Sequence, residues 1–127
     1  MFEQLLCHLW GDYIFQSDWM AQNKTKNSRA AFVHALFYTV PFFFFATMRW
    51  HPLAVILISH FLIDRFALAR FVVAEKNRVL RPVEDTTNYN TSTGYPASCP
   101  LWLAVWLLII CDNTLHLTIN YLALRFL

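Results

Sequence analysis

The chain has 127 residues, of which 57% are hydrophobic and 14% charged, where an ordinary soluble domain carries about a quarter charged. A single domain of this size has too little interior to hide that much apolar surface from water, so a lipid bilayer is its natural solvent. A net charge of +2 offers no basic face for nucleic acid. Three cysteines without CxxC spacing, Cys7, Cys99 and Cys111, offer no disulfide framework.

The expected fold is all-α: a polytopic membrane protein with one domain, 1–127, built as a four-transmembrane-helix bundle. The first helix is expected over 2–22, where Glu3 replaces the basic start of a signal peptide and polar residues interrupt the apolar run from His8 onward. The second, 30–48, contains Pro41, a kink former. Its FFFF run (42–45) reads as lipid-facing. The third is expected over 52–74 and the fourth over 100–126. Each has the roughly 20 residues that cross a hydrocarbon core. Between the third and fourth lies one long polar loop, 75–98, a mobile lid or a docking surface.

Basic residues set the expected orientation. Lys24, Lys26 and Arg29 crowd the connection 23–29, and Lys76, Arg78 and Arg81 crowd the loop 75–98, whereas the 49–52 turn holds only Arg49. The positive-inside rule puts 23–29 and 75–98 in the cytoplasm and both termini outside. Trp10, Trp19, Trp50 and Trp102 fall mostly near the interfaces. Two Asn-x-Ser/Thr matches, at Asn23 and Asn90, are read as chance.

The chemistry lies in a repeated spacing. Residues i and i+4 share a helix face. His8 and Asp12 form such a pair, His60 and Asp64 a second, and Asp112 and His116 a third. Gln16 and Asn120 extend two of these faces as supporting partners, and His34 stands on the second helix with Tyr38 one turn on. The three aspartates fall near the middle of their helices, where each costs roughly 2.5 to 3.5 kcal/mol to insert. A divalent metal compensates that cost. Imidazole and carboxylate suit zinc first, then manganese or iron. His8, Asp12, His34, His60, Asp64, Asp112 and His116 are too many ligands for one tetrahedral site and about right for two ions. The competing reading is a polar network that only holds the helices together. Arg65 and Arg70 either snorkel to the cytoplasmic interface or hold an anionic group. Lys24 and Lys26 are placed to assist at the mouth. His51, beside Trp50, is interfacial.

The stretches HLWGDYIFQSDWMAQNK, HALFYT, HFLIDRFALAR and DNTLHLTIN together resemble a family of small integral membrane proteins of bacteria and their phages, a domain of unknown function. A more distant likeness runs to membrane-bound metal-dependent hydrolases and to the all-helical zinc-dependent phospholipases C and nucleases, whose His-x-x-x-Asp units bind clustered zinc. The fourth-helix pair reads Asp then His, the reverse of the other two. The resemblance implies the same seven metal ligands.

The expected function is a membrane-embedded metal-dependent hydrolase of a phosphoester or lipid-linked substrate, with Asp12, Asp64 and Arg65 as catalytic residues. A metal ion lowers the pKa of water toward neutrality, an Asp acts as base and an arginine holds phosphate. Two other classes stand beside it. One is a proton- or ion-conducting protein, which needs a homo-oligomer because four helices are few. The other is an interaction protein that binds a host membrane complex through loop 75–98.

Overall fold

The structure is a computed structural model that describes residues 2–80 and 88–127. Residues 81–87, which include Arg81 and the middle of the expected loop, lie outside the described residues.

The first expected helix is broken. Helix α1 (Phe2–Leu9) passes into a π-helical turn (Trp10–Ile14), and α2 (Asp18–Asn23) restarts after residues 15–17. The Phe15 N–H donates to the Trp10 carbonyl at 2.9 Å, the i→i+5 bond of a π turn. Gly11 lets this turn lie against its neighbour. A Cβ there would sit 2.7 Å from the Tyr38 ring and 2.8 Å from the Tyr38 carbonyl oxygen. The Ser17 hydroxyl accepts from the Met20 N–H and caps α2.

Helix α3 (Ser28–Phe45) starts at an Asn27 cap and ends three residues before the expected boundary. Pro41 lies inside it without an N–H for the Phe37 carbonyl. The third expected helix is two: α4 (Trp50–Phe66) and α5 (Leu68–Leu80), bent by 69°. The bend is at Ala67, whose φ of 48° and ψ of 51° are left-handed, a conformation that costs a non-glycine residue roughly 1–2 kcal/mol. Because α5 runs to Leu80, residues 75–80 are helix and not the loop expected there. Helix α6 (Leu101–Phe126) begins one residue inside its expected range.

The remainder of the loop, 88–99, folds against α5. Tyr89 and Pro96 form an isolated bridge, and the Asn77 amide donates to the Gly94 carbonyl at 3.1 Å. Gly94 has φ of 74°, and a Cβ there would overlap the Arg70 carbonyl, so glycine is needed for both conformation and space.

Helices α3 and α6 are long and apolar enough to cross a bilayer, and the bent α4–α5 pair makes a third if it is one span. The N-terminal segment packs beside α3 and α6 but is too interrupted to meet that test, so the expected four spans become two or three. Burial is inverted relative to a soluble protein. Phe43, Phe44, Phe45, Trp102, Trp106 and Ile110 are exposed, while His8, Asp12, His34, His60, Asp64, His116 and Asn120 are buried. The FFFF run divides: Phe42 is wholly buried with Cys7, Tyr38, Ile56 and Ala123, and only its three successors face outward.

Candidate metal centre

Helical spacing aligns the inward groups. On α4 the buried residues Pro52, Ile56, His60 and Asp64 recur every four positions. On α3 the buried face is Ala30, Ala31, His34, Ala35, Tyr38 and Phe42, and its small alanines let neighbouring backbones approach. On α6 it includes His116 and Asn120. The π turn delivers Asp12 to the same place.

These faces meet in two groups of potential ligands that share Asp64: Asp12, His34, His60 and Asp64, and Asp64, Asp112 and His116, with the ligand atoms of each group within 4.8 Å of one another. In the first, His34 Nε2 lies 3.1 Å from both Asp12 Oδ1 and Asp64 Oδ2 and 3.0 Å from His60 Nε2. His60 Nε2 is 3.1 Å from Asp64 Oδ2 and 3.6 Å from Asp12 Oδ1. A tetrahedron with bonds of about 2.0–2.1 Å has edges of about 3.3 Å, and these separations bracket that length. In the second group His116 Nε2 lies 3.4 Å from Asp64 Oδ1 and 3.5 Å from Asp112 Oδ2. The two oxygens of Asp64 thus face different groups, as in a bridging carboxylate.

Hydrogen bonding alone does not account for this convergence. One imidazole nitrogen carries one proton or one lone pair, yet three ligand atoms crowd His34 Nε2. Among the described residues, Asp64 Oδ2 and His116 Nε2 are buried and make no hydrogen bond of good geometry, an arrangement that native interiors avoid. The donor set therefore fits a divalent metal such as zinc. His60 Nδ1 and His116 Nδ1 face each other at 3.1 Å, so only one of them carries a proton in this arrangement, and filling both groups through Nε2, which leaves each neutral ring its proton on Nδ1, requires the two rings to move apart.

His8 stands outside both groups, although the sequence spacing made it a ligand. Tyr38 is the reason. Its hydroxyl accepts from the Asn120 amide at 2.6 Å and so donates to His8 Nδ1 at 2.9 Å, leaving His8 Nε2–H to donate to Asn113 Oδ1 at 3.1 Å. Both His8 nitrogens are engaged, and Nδ1 is 3.7 Å from Asp12 Oδ2. The Tyr38 ring also stacks on His60 at 3.6 Å and 14°, fixing that imidazole. Tyr38 was visible in sequence only as a neighbour of His34. Gln4 donates to the Leu117 carbonyl and ties α1 to α6.

Lys24 enters the centre more deeply than a residue at its mouth. Its Nζ lies 3.0 Å from Asp64 Oδ2, 3.8 Å from Asp12 Oδ1 and 3.5 Å from His34 Nε2. Burial pushes the Lys24 pKa down, but Asp64 and Asp12 more than offset this and raise it above the ordinary lysine value. The ammonium therefore persists at neutral pH. Its contribution to stability is present below the ordinary lysine range and is lost only as pH rises through the raised value.

A cavity of about 340 Å³ opens onto the centre, with Asp12, Asp64 and Asp112 in its wall beside Lys24 and Arg70. Arg65, expected to be catalytic, is not in that wall. Its guanidinium donates to Ser28 Oγ and the Thr25 carbonyl, both at 2.9 Å, and pins the connection before α3. The Ala67 bend carries Arg70 to the cavity instead. Gln16 also lines it, its buried amide oxygen without a partner among the described residues.

No curated protein and no solved structure matches the chain. A family described as proteins of unknown function, DUF3307, matches residues 1–84. That stretch holds the entire first group, while Asp112 and His116 lie beyond it. The chain belongs to the DUF3307 family.

Proposed function

We propose that the protein is a membrane-embedded, metal-dependent hydrolase of phosphoesters, with up to two ions, zinc foremost. The observation that carries this reading is the shared carboxylate: Asp64 presents Oδ2 to Asp12, His34 and His60, and Oδ1 to His116 and Asp112. A bound divalent ion supplies Lewis acidity and brings the pKa of water toward neutrality. Asp12, His34, His60 and Asp64 would hold one ion and Asp64, Asp112 and His116 the other. Asp112 has the most open side chain of the three carboxylates, 28% exposed against 7% for Asp12 and 3% for Asp64, which would leave the oxygen not given to the second ion free to take a proton from attacking water. Arg70 takes the phosphate-holding role that the sequence reading left open between Arg65 and Arg70. The cavity supplies room for the ester group beside these residues.

The test is turnover by protein purified in detergent and loaded with zinc or manganese, on a panel of phosphomonoesters and diesters that includes lipid substrates. Chelation should abolish turnover. Asp112→Asn should lower kcat by roughly 10²–10⁴-fold if it acts in proton transfer. Turnover that survives chelation would refute the proposal.

One observation favours a second reading. The Lys24 ammonium at 3.0 Å from Asp64 offsets one buried negative charge without a metal, as a structural polar core would require. A folded protein that takes up no metal would select that reading.

A further inference from the structure

The cavity is lined by three carboxylates, Asp12, Asp64 and Asp112, and by two cations, Lys24 and Arg70; its other titratable wall residue is Tyr13. Its formal charge without metal is −1, which disfavours an anion. One divalent ion makes it +1 and two make it +3. Arg70 is the group prepared for the anion. Its Nε is buried without a hydrogen-bond partner among the described residues, its Nη1 reaches the Thr91 carbonyl at only 3.5 Å, and its guanidinium carbon lies 4.7 Å from the centre of the Phe71 ring. A buried, unpaired guanidinium N–H is a donor without an acceptor, and its planar fork matches phosphate oxygens. Lys24 is held by Asp64 and Asp12. An ion bound to those carboxylates competes for them and frees the ammonium toward the cavity.

We infer that metal loading converts this cavity into a binding site for a terminal phosphate group, held by Arg70 with Lys24. The inference rests on the metal-centre reading above and adds an order of binding: metal first, phosphate second. Thr25 and Ser92, both exposed, line the cavity on one side, while Ile63, Leu108 and Ile109 form its apolar side. A volume of about 340 Å³ lies at the lower end of small-ligand pockets. It fits a phosphate with a compact alcohol or headgroup, and an acyl chain would have to remain outside.

Inorganic phosphate is the probe, titrated calorimetrically into full-length protein in detergent before and after zinc loading, with metal content measured on the same samples. The expected result is binding by the loaded wild type alone. Arg70→Gln should weaken it at least tenfold with metal content unchanged, and Arg70→Lys should fall between, which excludes simple misfolding. Short-chain phosphatidic acid distinguishes the sources: competition with phosphate assigns the site to lipid headgroups, and its absence assigns it to soluble phosphate compounds. Full metal content with phosphate binding indifferent to Arg70, or equal binding by metal-free protein, overturns this inference and leaves the metal centre standing. No metal uptake overturns the metal centre, and this inference with it.

Discussion

Asp64→Asn separates a shared metal centre from a set of neighbouring hydrogen bonds. The change keeps the shape of the side chain and removes its charge. Asp64 belongs to both ligand groups, through Oδ2 to His34 and His60 at 3.1 Å and through Oδ1 to His116 at 3.4 Å. Structural zinc sites with four ligands bind with roughly 10–16 kcal/mol. An average ligand then carries about 3 kcal/mol, on the order of 10²-fold in Kd. Asp64→Asn should weaken both binding events by about that factor, a loss distributed over two sites by one residue. His34→Ala should weaken only the first and His116→Ala only the second, because each belongs to a single group. Competition with a chromophoric zinc chelator measures both constants, and thermal melting in detergent checks that each variant is folded. Asp64→Asn that weakens a single event, or His116→Ala that weakens both as strongly, would refute the bridging role.

Lys24→Met should tighten zinc binding by at least tenfold, because the ammonium 3.0 Å from Asp64 Oδ2 competes for that oxygen only in the metal-free protein. The same variant should melt lower than wild type before loading, since it strands a buried carboxylate; unchanged affinity would place Lys24 outside the centre. Gly11→Ala should destabilise the fold by about 1–3 kcal/mol, the usual cost of overpacking. Its Cβ meets the Tyr38 ring at 2.7 Å and the Tyr38 carbonyl oxygen and Cα at 2.8 and 2.9 Å, and the two backbone atoms cannot swing aside. A melting temperature equal to wild type would show that the π turn has room to move.

Much of the candidate site could be read from the chain because helical spacing alone aligns it. His60 with Asp64, and Asp112 with His116, lie on uninterrupted helices, so four residues in sequence give one face in space. Helix α6 follows its apolar run almost to the residue. What escaped the sequence depends on tertiary contact. Ala67 is a good helix former and carries no sign that it will adopt a left-handed conformation and turn the chain by 69°. That bend decides that Arg70 and not Arg65 reaches the cavity. The π turn had a faint signal in Gly11, one of only two glycines, but its reason is the approach of Tyr38 from another helix. His8 obeyed the spacing and still left the centre, because Tyr38 and Asn113 take both its nitrogens. Lys24 sits in a basic connection that reads as a topology signal. Its partners, Asp12 and Asp64, come from segments 12 and 40 positions away, which no local pattern reveals.

The measurement that tests the central claim most directly is the metal content of wild-type protein, extracted in detergent, reconstituted with zinc, dialysed and analysed by mass spectrometry of the elements. The account predicts two equivalents of zinc per chain, or one if only the Asp12, His34, His60 and Asp64 group is filled, and in either case a lower retained metal content in Asp64→Asn. A folded wild type that retains no zinc, manganese or iron would contradict it.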